Sequence, residues 1–423
     1  MMQISRFILV IAISFLTACS SHKETQETAF LDTGNLKAMG TYFATDNEGK
    51  PVLCWTSQSP TDSLYRLQYA IYDEENNSFE PTITVPLSAG TSTSAESMAK
   101  VAFKKDGTII AVFAKRFINE QNPYAGAIYY SQSADKGKTW SKAEFLHSDT
   151  LYTYGRSFFD VATLKNGEVA AVWLDGRFGK KQKGSALFFA KTSSGKGFGK
   201  DSLLNKSTCE CCRTDLLCDQ NGKLHIAYRS IIFPSGLASK QVRDMVYISS
   251  DDNGTTFSKE QVISNDNWQI EGCPHSGPSL AQTNNKISAA WFTAAGGNSG
   301  IYHTSLQNGA FSKKSLITVK GRHPQLSSLP NGQVLAVYEE ESEAHTTQHA
   351  HEGHGSMKHG QTPSGKSKII LKGIGKDGQE IVLSNGNYID HHAAITALNR
   401  GALVAWIREE NSKSFACYLK VSY

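Results

Sequence analysis

The sequence predicts an all-β protein that folds as a single β-propeller, and three observations support this fold class. A turn followed by a hydrophobic strand that reaches an aromatic residue occurs seven times, with the aromatic residues 47 to 68 positions apart. Glycine (35 residues) outnumbers proline (11), which is typical of short strands joined by tight turns. Hairpins repeated at such a period indicate a propeller, in which each repeat is one four-stranded blade.

Each repeat begins with a turn signal, which in four repeats is Asn-Gly or Asp-Gly, and a hydrophobic run often rich in β-branched residues follows it. The seven instances are residues 49–55, 107–113, 167–173, 222–228, 285–291, 332–338 and 400–406. This count favours seven blades, with six as the alternative. The last repeat has only three strands before the chain reaches Tyr423, so we expect the segment around residues 29–31 to supply the fourth strand and close the ring.

The N-terminus predicts export. Arg6 precedes an apolar run over residues 7–18, which is 12 residues long and shorter than the roughly 20 residues of a spanning helix. The run ends in Leu16-Thr17-Ala18-Cys19, which resembles the bacterial lipobox and implies cleavage before Cys19 and lipid on its sulfur. We therefore predict a signal peptide over 1–18, a lipidated tether over 19–36 and a propeller over 37–423.

Such a protein would be an exported lipoprotein that acyl chains hold at a membrane. We expect it at the periplasmic or cell-surface face, and at the outer membrane of a Gram-negative cell. The formal net charge of the whole chain is +4, which is small for 423 residues and gives no support for a nucleic-acid partner. Mean hydropathy of -0.35 indicates a soluble globular domain behind the tether.

Two octapeptides, residues 133–140 and 250–257, share the pattern Ser-x-Asp-x-Gly-x-Thr-aromatic. They resemble the Asp-box of the sialidase (neuraminidase) superfamily. Three further stretches, residues 173–177, 209–214 and 273–278, together resemble bacterial Asp-box (BNR-repeat) sialidase-like lipoproteins, and this resemblance covers nearly all of the mature chain. In that family the boxes form outer turns away from the active centre. Asp135 and Asp252 are therefore expected to stabilise turns and not to take part in catalysis.

The resemblance implies a glycan site where the inner strands begin, at one end of the central channel, which we call the mouth. Sialidases hold the substrate carboxylate with three arginines, for which Arg156, Arg213 and Arg322 are the candidates. They also use a tyrosine nucleophile activated by a glutamate, for which Tyr388 and Glu271 are the candidates, and they need no cofactor. The family's N-terminal Arg-Ile-Pro is absent here, because Gly40-Thr41-Tyr42 takes its place.

Cysteine and histidine residues indicate a second chemistry at the same mouth. Thiolates and imidazoles at close spacing suit copper(I) or zinc. The candidate ligands are Cys209, Cys211, Cys212, Cys273, His275, His323, His391 and His392. With Cys19 lipidated, seven cysteines remain, and an odd number cannot all pair in an oxidising compartment.

Disulfides are the alternative explanation of these cysteines. Bonds among Cys209, Cys211, Cys212 and Cys273 would join two blades and leave Cys218 as an inert thiol. Cys54 and Cys417 lie in the first and last repeats, which become neighbours on ring closure, and they form a further candidate pair.

The sixth repeat carries a His-rich loop insertion over residues 341–367. Its candidate metal ligands are His345, His349, His351, His354 and His359, with Met357 among them. Imidazoles favour copper, zinc or nickel, and the thioether favours copper. A polar loop that binds metal only casually is the alternative, because such a composition cannot bury a core.

Two hypotheses of function follow from the sequence. The first is an exported lipoprotein that binds sialic-acid-like or other anionic glycans at the mouth, and that as an enzyme would hydrolyse them as an exo-sialidase-like glycoside hydrolase. The alternative is a non-hydrolytic lipoprotein that binds copper or zinc through the Cys/His cluster and the His-rich loop. The expected partners are a glycan or small anionic ligand and, through the lipid, a membrane. Fold alone does not choose between these hypotheses.

Overall fold

The computed structural model describes residues 28–31, 37–236, 239–341, 365–375 and 378–423. These residues form seven antiparallel sheets, each with a path of four strands, and three of the sheets carry one additional short strand. The predicted all-β propeller is confirmed, and the blade count is seven. We number the blades by the order of their inner strands along the chain.

From the axis outwards, the strands of blades 1 to 4 are Ala38–Thr45, Pro51–Gln58, Tyr65–Asp73, Ser78–Phe79 and Ile83–Thr84; Lys100–Phe103, Ile109–Arg116, Gly126–Ser133 and Glu144–Phe145; Arg156–Thr163, Val169–Asp175, Ser185–Ser193, Lys196–Phe198 and Ser202–Thr208; and Asp215–Cys218, Leu224–Arg229, Met245–Ser250 and Gln261–Val262. Those of blades 5 to 7 are Ser279–Thr283, Lys286–Thr293, Gly300–Gln307, Ala310–Phe311 and Ser315–Thr318; Gly321–Ser328, Val334–Glu341, Ser367–Gly373 and Glu380–Val382; and Ile389–Ala397, Ala402–Glu410, Lys413–Val421 and Ala29–Leu31.

The repeated aromatic residue lies in the second strand of every blade and is buried. The seven positions are no more than 1% exposed: Trp55, Phe113, Trp173, Tyr228, Trp291, Tyr338 and Trp406. The turns that precede these strands use glycine with φ between 85° and 89° at Gly49, Gly107, Gly167, Gly222 and Gly332. An L side chain rarely adopts that conformation, so the Asn-Gly and Asp-Gly signals report a real backbone requirement.

The N-terminal strand closes the ring. Ala29–Leu31 pairs antiparallel with the third strand of blade 7, with Leu31 opposite Ala416. Leu31 packs with Trp55 of blade 1 and Ala405 of blade 7 in one buried cluster. This confirms the predicted closing strand, and it places residues 29–31 in the propeller although they lie within the segment 19–36 predicted as a tether.

The predicted Cys54–Cys417 disulfide is wrong, because both residues are free thiols. Cys54 packs with Tyr69 and Val101 on the side of blade 2, whereas Cys417 packs with Trp406 on the side of blade 6. Burial raises the pKa of each thiol to about 12. Neither is therefore reactive at neutral pH.

The Asp-box turns have the structural role predicted for them. Asp135 Oδ1 accepts hydrogen bonds from Ser133 Oγ at 2.8 Å and from the Thr139 backbone N–H at 2.9 Å. Thr139 Oγ1 donates to Asp135 Oδ2 at 2.6 Å, and these bonds lower the pKa of Asp135 to about 2. The aromatic residue that ends each box packs on the neighbouring blade, as Phe257 does against Phe189 at 5.1 Å between ring centroids.

Helical structure is minor in the described part of the chain. It contains three short 3-10 turns, Pro86–Ser88, Gly179–Lys181 and Ala295–Gly297. Across the described ranges, none of the helices has the length and apolar character needed to cross a bilayer.

Shortening the buried residue of the closing strand should destabilise the ring. We expect Leu31→Ala to lower the free energy of unfolding by about 2 kcal/mol, because it leaves a cavity between blades 1 and 7. Phe30→Ala, on the same strand but with 45% of Phe30 exposed, is the control and should cost less. Urea unfolding of the two variants measures both effects, and equal effects would mean that the strand does not seal the ring.

Candidate functional site

The inner strands of several blades begin with a bulge at the mouth. The residues that adopt a left-handed backbone there are Phe158, His275, His323 and His392, with φ between 46° and 56°. In blades 3, 6 and 7 the pairing of the inner with the second strand shifts at this point. A bulge leaves backbone groups unpaired and turns side chains out of the regular alternation.

These bulges connect each blade to its neighbour. The Phe158 N–H of blade 3 donates to Ser97 Oγ of blade 2 at 3.1 Å, and the His392 N–H of blade 7 donates to a Glu339 carboxylate oxygen of blade 6 at 2.6 Å. The Gly40 N–H of blade 1 donates to His392 Nδ1 at 3.0 Å, which connects the first blade to the last. The mouth is therefore built from cross-blade hydrogen bonds.

Below the mouth, buried carboxylates continue these connections. Lys100 of blade 2 donates to Asp160 of blade 3 at 2.7 Å, and Asp160 in turn accepts the Leu216 N–H of blade 4 at 2.8 Å. Asp215 of blade 4 accepts the Leu280 N–H of blade 5 at 3.1 Å. Burial and the nearby Asp160 carboxylate raise the pKa of Asp215 to about 7.

One buried ion pair joins four blades at the mouth. Arg213 Nη1 donates to Glu96 Oε1 at 2.6 Å, and the two side chains are each 4% exposed. Glu96 Oε2 accepts the backbone N–H groups of Arg213 at 2.9 Å and Gly277 at 2.6 Å. The Arg213 guanidinium also donates to the carbonyls of Pro278, at 3.2 Å, and Pro324. Because Glu96, Arg213, Pro278 and Pro324 come from blades 2, 4, 5 and 6, this pair fixes the loops between them.

A cluster of thiols lies beside this ion pair. Cys209 Sγ is 3.7 Å from Cys211 Sγ and 3.6 Å from Cys212 Sγ, and the three residues are at most 2% exposed. A disulfide requires a separation of about 2.05 Å, so these sulfurs are not bridged. Two ligands of one tetrahedral ion with bonds of about 2.3 Å lie about 3.8 Å apart, which is close to the spacing observed.

Blade 5 contributes the rest of the cluster. Cys273 and His275 lie in the loop before its inner strand, and their ligand atoms lie within 4.8 Å of each other and of Cys211 Sγ. Cys273 is exposed and His275 is partly exposed, whereas Cys209, Cys211 and Cys212 are buried. The cluster therefore has a buried side and a side that solvent reaches.

Two arginines surround the thiols. Arg243 Nη1 donates to Cys209 Sγ at 3.1 Å and to the Glu210 carboxylate at 3.0 Å. Arg229, which is 2% exposed, donates to the carbonyls of Arg243 at 2.9 Å and Ser276 at 3.0 Å. Arg229 thus holds the Arg243 loop against the loop that carries Cys273 and His275.

The electrostatics favour one thiolate before any ion binds. Hydrogen bonds from the Cys211, Cys212 and Cys273 thiols lower the pKa of Cys209 well below its ordinary value, and the Arg243 charge adds to this effect. Burial raises the pKa of Cys211 and Cys212. An incoming ion therefore has to displace protons from these two sulfurs, and its affinity will rise with pH.

The structure does not bring His323, His391 and His392 into the thiol cluster. His323 Nδ1 lies 3.0 Å from Glu339 Oε2, and its Nε2 donates to the His275 carbonyl at 3.0 Å. Burial opposes protonation of His323, but the Glu339 carboxylate raises its pKa above the ordinary value. His391 Nε2 lies 2.9 Å from Glu409 Oε1. Carboxylates and backbone groups thus already occupy these imidazoles.

The three candidate arginines do not converge on a common ligand position. Arg156 is 2% exposed and forms ion pairs with Asp149 and Asp175, both at 3.1 Å. Arg213 is occupied by Glu96, as described above. Arg322 is exposed and packs its guanidinium over the Phe292 ring, 4.0 Å from the centroid. Of the three, only Arg322 presents its charge to solvent.

Tyr388 and Glu271 have different surroundings. Tyr388 is partly buried beneath the guanidinium of Arg408, 4.4 Å from its ring centroid. Glu271 is exposed in the loop that leads to Cys273. Within the described part of the chain, no hydrogen bond joins the two side chains.

The remaining predicted site residues fall outside the described residues. They are Cys19 and the loop histidines His345, His349, His351, His354 and His359. On either side of the His-rich insertion, Glu341 pairs with Ser367, so the second and third strands of blade 6 flank the insertion. Ser367 Oγ donates to the Asp390 carbonyl at the start of the blade 7 inner strand, which places these ends on the mouth side of the propeller.

Arg229 and Arg243 are residues of the candidate site that the sequence did not reveal. Arg229 ends a strand one residue after the repeated aromatic Tyr228, and Arg243 lies in a loop without a recognisable motif. Their roles depend on contacts between loops that are distant in sequence. The available signal was a pair of arginines in the repeat that also carries four of the cysteines.

Comparisons with known proteins show the fold. No family model matches the chain, and no curated protein matches it. Among solved structures, polysaccharide lyase Uly1 is 11% identical, with a TM-score of 0.51 over 95% of this chain and 94% of that one. The NanB sialidase of Streptococcus pneumoniae is 11% identical, with a TM-score of 0.49 over 90% of this chain and 85% of that one.

A protein of unknown function from Dyadobacter fermentans is 16% identical, with a TM-score of 0.46 over 77% of this chain and 94% of that one. At these identities the likeness is one of fold and carries no information about activity. The predicted sialidase-like fold is confirmed in this sense: seven four-stranded blades carry two Asp-box turns.

Removing one member of the buried ion pair should destabilise the protein strongly. We expect Arg213→Met to lower the free energy of unfolding by about 3–5 kcal/mol, because it leaves the Glu96 carboxylate buried without its cationic partner. Arg322→Ala, which removes an exposed arginine, should change the free energy of unfolding by only about 0.5 kcal/mol. Denaturant unfolding of the two variants provides the comparison, and a mild effect of Arg213→Met would refute the role of the ion pair at the mouth.

Proposed function

We propose that the protein binds a soft metal, copper(I) or zinc, through Cys209, Cys211, Cys212, Cys273 and His275 at the mouth of the propeller. The observation that carries the proposal is the spacing of 3.6 and 3.7 Å between Cys209 Sγ and the two neighbouring buried sulfurs. That spacing is too long for a disulfide and suits ligands of a common ion. Soft thiolate ligands select copper(I) and zinc over harder ions.

The surroundings of the cluster fit a bound ion. Several thiolates around one ion carry net negative charge, and Arg243 offsets part of it from 3.1 Å. Burial of Cys209, Cys211 and Cys212 protects the sulfurs from solvent oxidants, while exposed Cys273 provides an entry route. Contacts from residues that surround the ligands, such as that of Arg243 with Cys209, orient the ligands and tune the affinity for the ion.

The proposal extends to the cellular setting. We propose that lipid on Cys19 holds the protein at a membrane after export, and that the His-rich segment collects ions near the mouth. What supports the second point is that the strand ends flanking the segment, Glu341 and Ser367, lie on the mouth side. In an oxidising compartment a bound ion would also keep the cysteines from forming disulfides.

Serine substitution in the cluster should abolish metal binding at the mouth. We expect the full chain, purified anaerobically, to contain copper or zinc, and we expect Cys211→Ser to lose the metal held at the mouth because Cys211 contacts every other ligand group. Cys218→Ser, which changes a partly buried cysteine outside the cluster, is the matched control and should retain the metal. Elemental analysis by mass spectrometry measures both.

A deletion of residues 342–364 separates the mouth from the His-rich segment. Metal that survives this deletion and disappears with Cys211→Ser supports the proposed centre. Metal that disappears with the deletion alone would mean that the histidines, and not the cysteines, bind it.

We propose binding of an anionic glycan at the mouth as a second candidate function. The observation that favours it is that Arg322 is exposed over the Phe292 ring. A guanidinium on an aromatic platform suits a sugar carboxylate. No hydrogen bond joins Tyr388 to Glu271 among the described residues, and this favours binding over hydrolysis.

Glycan binding should depend on Arg322. We expect retention on immobilised sialyllactose to fall about tenfold in Arg322→Ala, since a charge-assisted hydrogen bond contributes roughly 1.5–3 kcal/mol. Lys320→Ala, which removes a neighbouring exposed cation, is the control and should bind as the unmodified protein does. A chain that shows no retention, and no turnover of a fluorogenic sialoside between about pH 4 and 8, would exclude this candidate.

A further inference from the structure

The donors at the mouth form two overlapping groups. The ligand atoms of Cys209, Cys211 and Cys212 lie within 4.8 Å of one another, and so do those of Cys211, Cys273 and His275. Cys211 Sγ is the one atom that belongs to both. Two ligands on a common ion with bonds of about 2.3 Å cannot be more than about 4.6 Å apart, so each group is close to the span of a single ion.

We infer that the centre binds two soft metal ions that share Cys211 Sγ as a bridging thiolate. This inference rests on the proposed metal-binding function and concerns its stoichiometry. One ion would have Cys209, Cys211 and Cys212 as ligands, and the other would have Cys211, Cys273 and His275. Each ion then has three donors, and all five residues are used, whereas a single tetrahedral ion would leave at least one donor unused.

The electrostatics of the site agree with two ions. The four cysteines carry four negative charges when they are deprotonated, and the nearest cation is the Arg243 guanidinium at 3.1 Å from Cys209 Sγ. One copper(I) ion would leave most of that charge uncompensated in a largely buried place, which is costly. For the four thiolates and the ions alone, a second ion changes the net charge from −3 to −2 for copper(I) and from −2 to zero for zinc.

The two ion positions differ in solvent exposure, and we therefore expect their ions to exchange at different rates. The Cys209, Cys211 and Cys212 group is at most 2% exposed, so its ion is enclosed by protein. Cys273 is exposed and His275 partly exposed, so the second ion lies at the surface of the mouth. The buried ion would stay bound while the outer ion is loaded and released, which suits a protein that passes metal to a partner.

The experiment counts ions at the mouth. The full chain with its five loop histidines, His345, His349, His351, His354 and His359, replaced by serine is loaded with copper(I) under anaerobic conditions and examined by native mass spectrometry. We expect two ions per chain. A challenge with a soluble copper(I) chelator should remove one ion quickly and the other slowly.

Single substitutions in the same background assign the two positions. Cys212→Ser should lose the buried ion and retain the outer one, whereas His275→Gln should lose the outer ion and retain the buried one. Cys218→Ser is the control and should keep both. These variants leave most of the cluster intact, so the test does not depend on whether Cys211→Ser folds.

The outcomes separate this inference from the function on which it rests. One ion per chain that requires Cys209, Cys211, Cys212 and Cys273 together would overturn the binuclear centre and leave metal binding intact. If the chain binds no ion after loading with copper(I) or with zinc, the proposed function itself is refuted.

Discussion

The buried ion pair between Glu96 and Arg213 is the interaction on which the mouth of this propeller depends. A propeller blade pairs its strands internally, so the blades must be fixed relative to one another by side chains. Glu96 and Arg213 fix four of the seven blades relative to one another. Every polar atom of the pair that faces the interior has a hydrogen-bond partner. A buried pair of this kind is tolerated only when its hydrogen bonds are satisfied in this way.

The same ion pair positions the thiol cluster. Arg213 directly follows Cys212, and Gly277 lies two residues beyond His275, so both loops of the thiol cluster end on the ion pair. A Cβ atom at Gly277 would lie 2.3 Å from the Arg213 carbonyl oxygen, and only glycine therefore allows this approach. Arg229 adds a second connection between the loops. The ligand geometry is thus set by the packing of blades 4 and 5.

Much of this architecture could be predicted because its causes are local. The Asn-Gly turns, the buried aromatic of each second strand and the Asp-box octapeptides each act within one repeat, and the incomplete last repeat required a strand from elsewhere. The grouping of Cys209, Cys211, Cys212, Cys273 and His275 also followed from repeat position. The partners of Arg156 and Arg213 did not, because an arginine at a mouth has the same local sequence whether it binds a ligand or an internal carboxylate. Cys54 and Cys417 illustrate the same point: neighbouring blades bring strands together, but the face on which each side chain packs decides whether two sulfurs meet.

The central claim is that the mouth of the propeller is a thiolate metal centre. The most direct measurement is X-ray absorption spectroscopy at the metal edge of the anaerobically loaded full chain. We expect a first coordination shell dominated by sulfur at about 2.3 Å. A shell made only of nitrogen and oxygen, characteristic of histidine and water ligands, would contradict it.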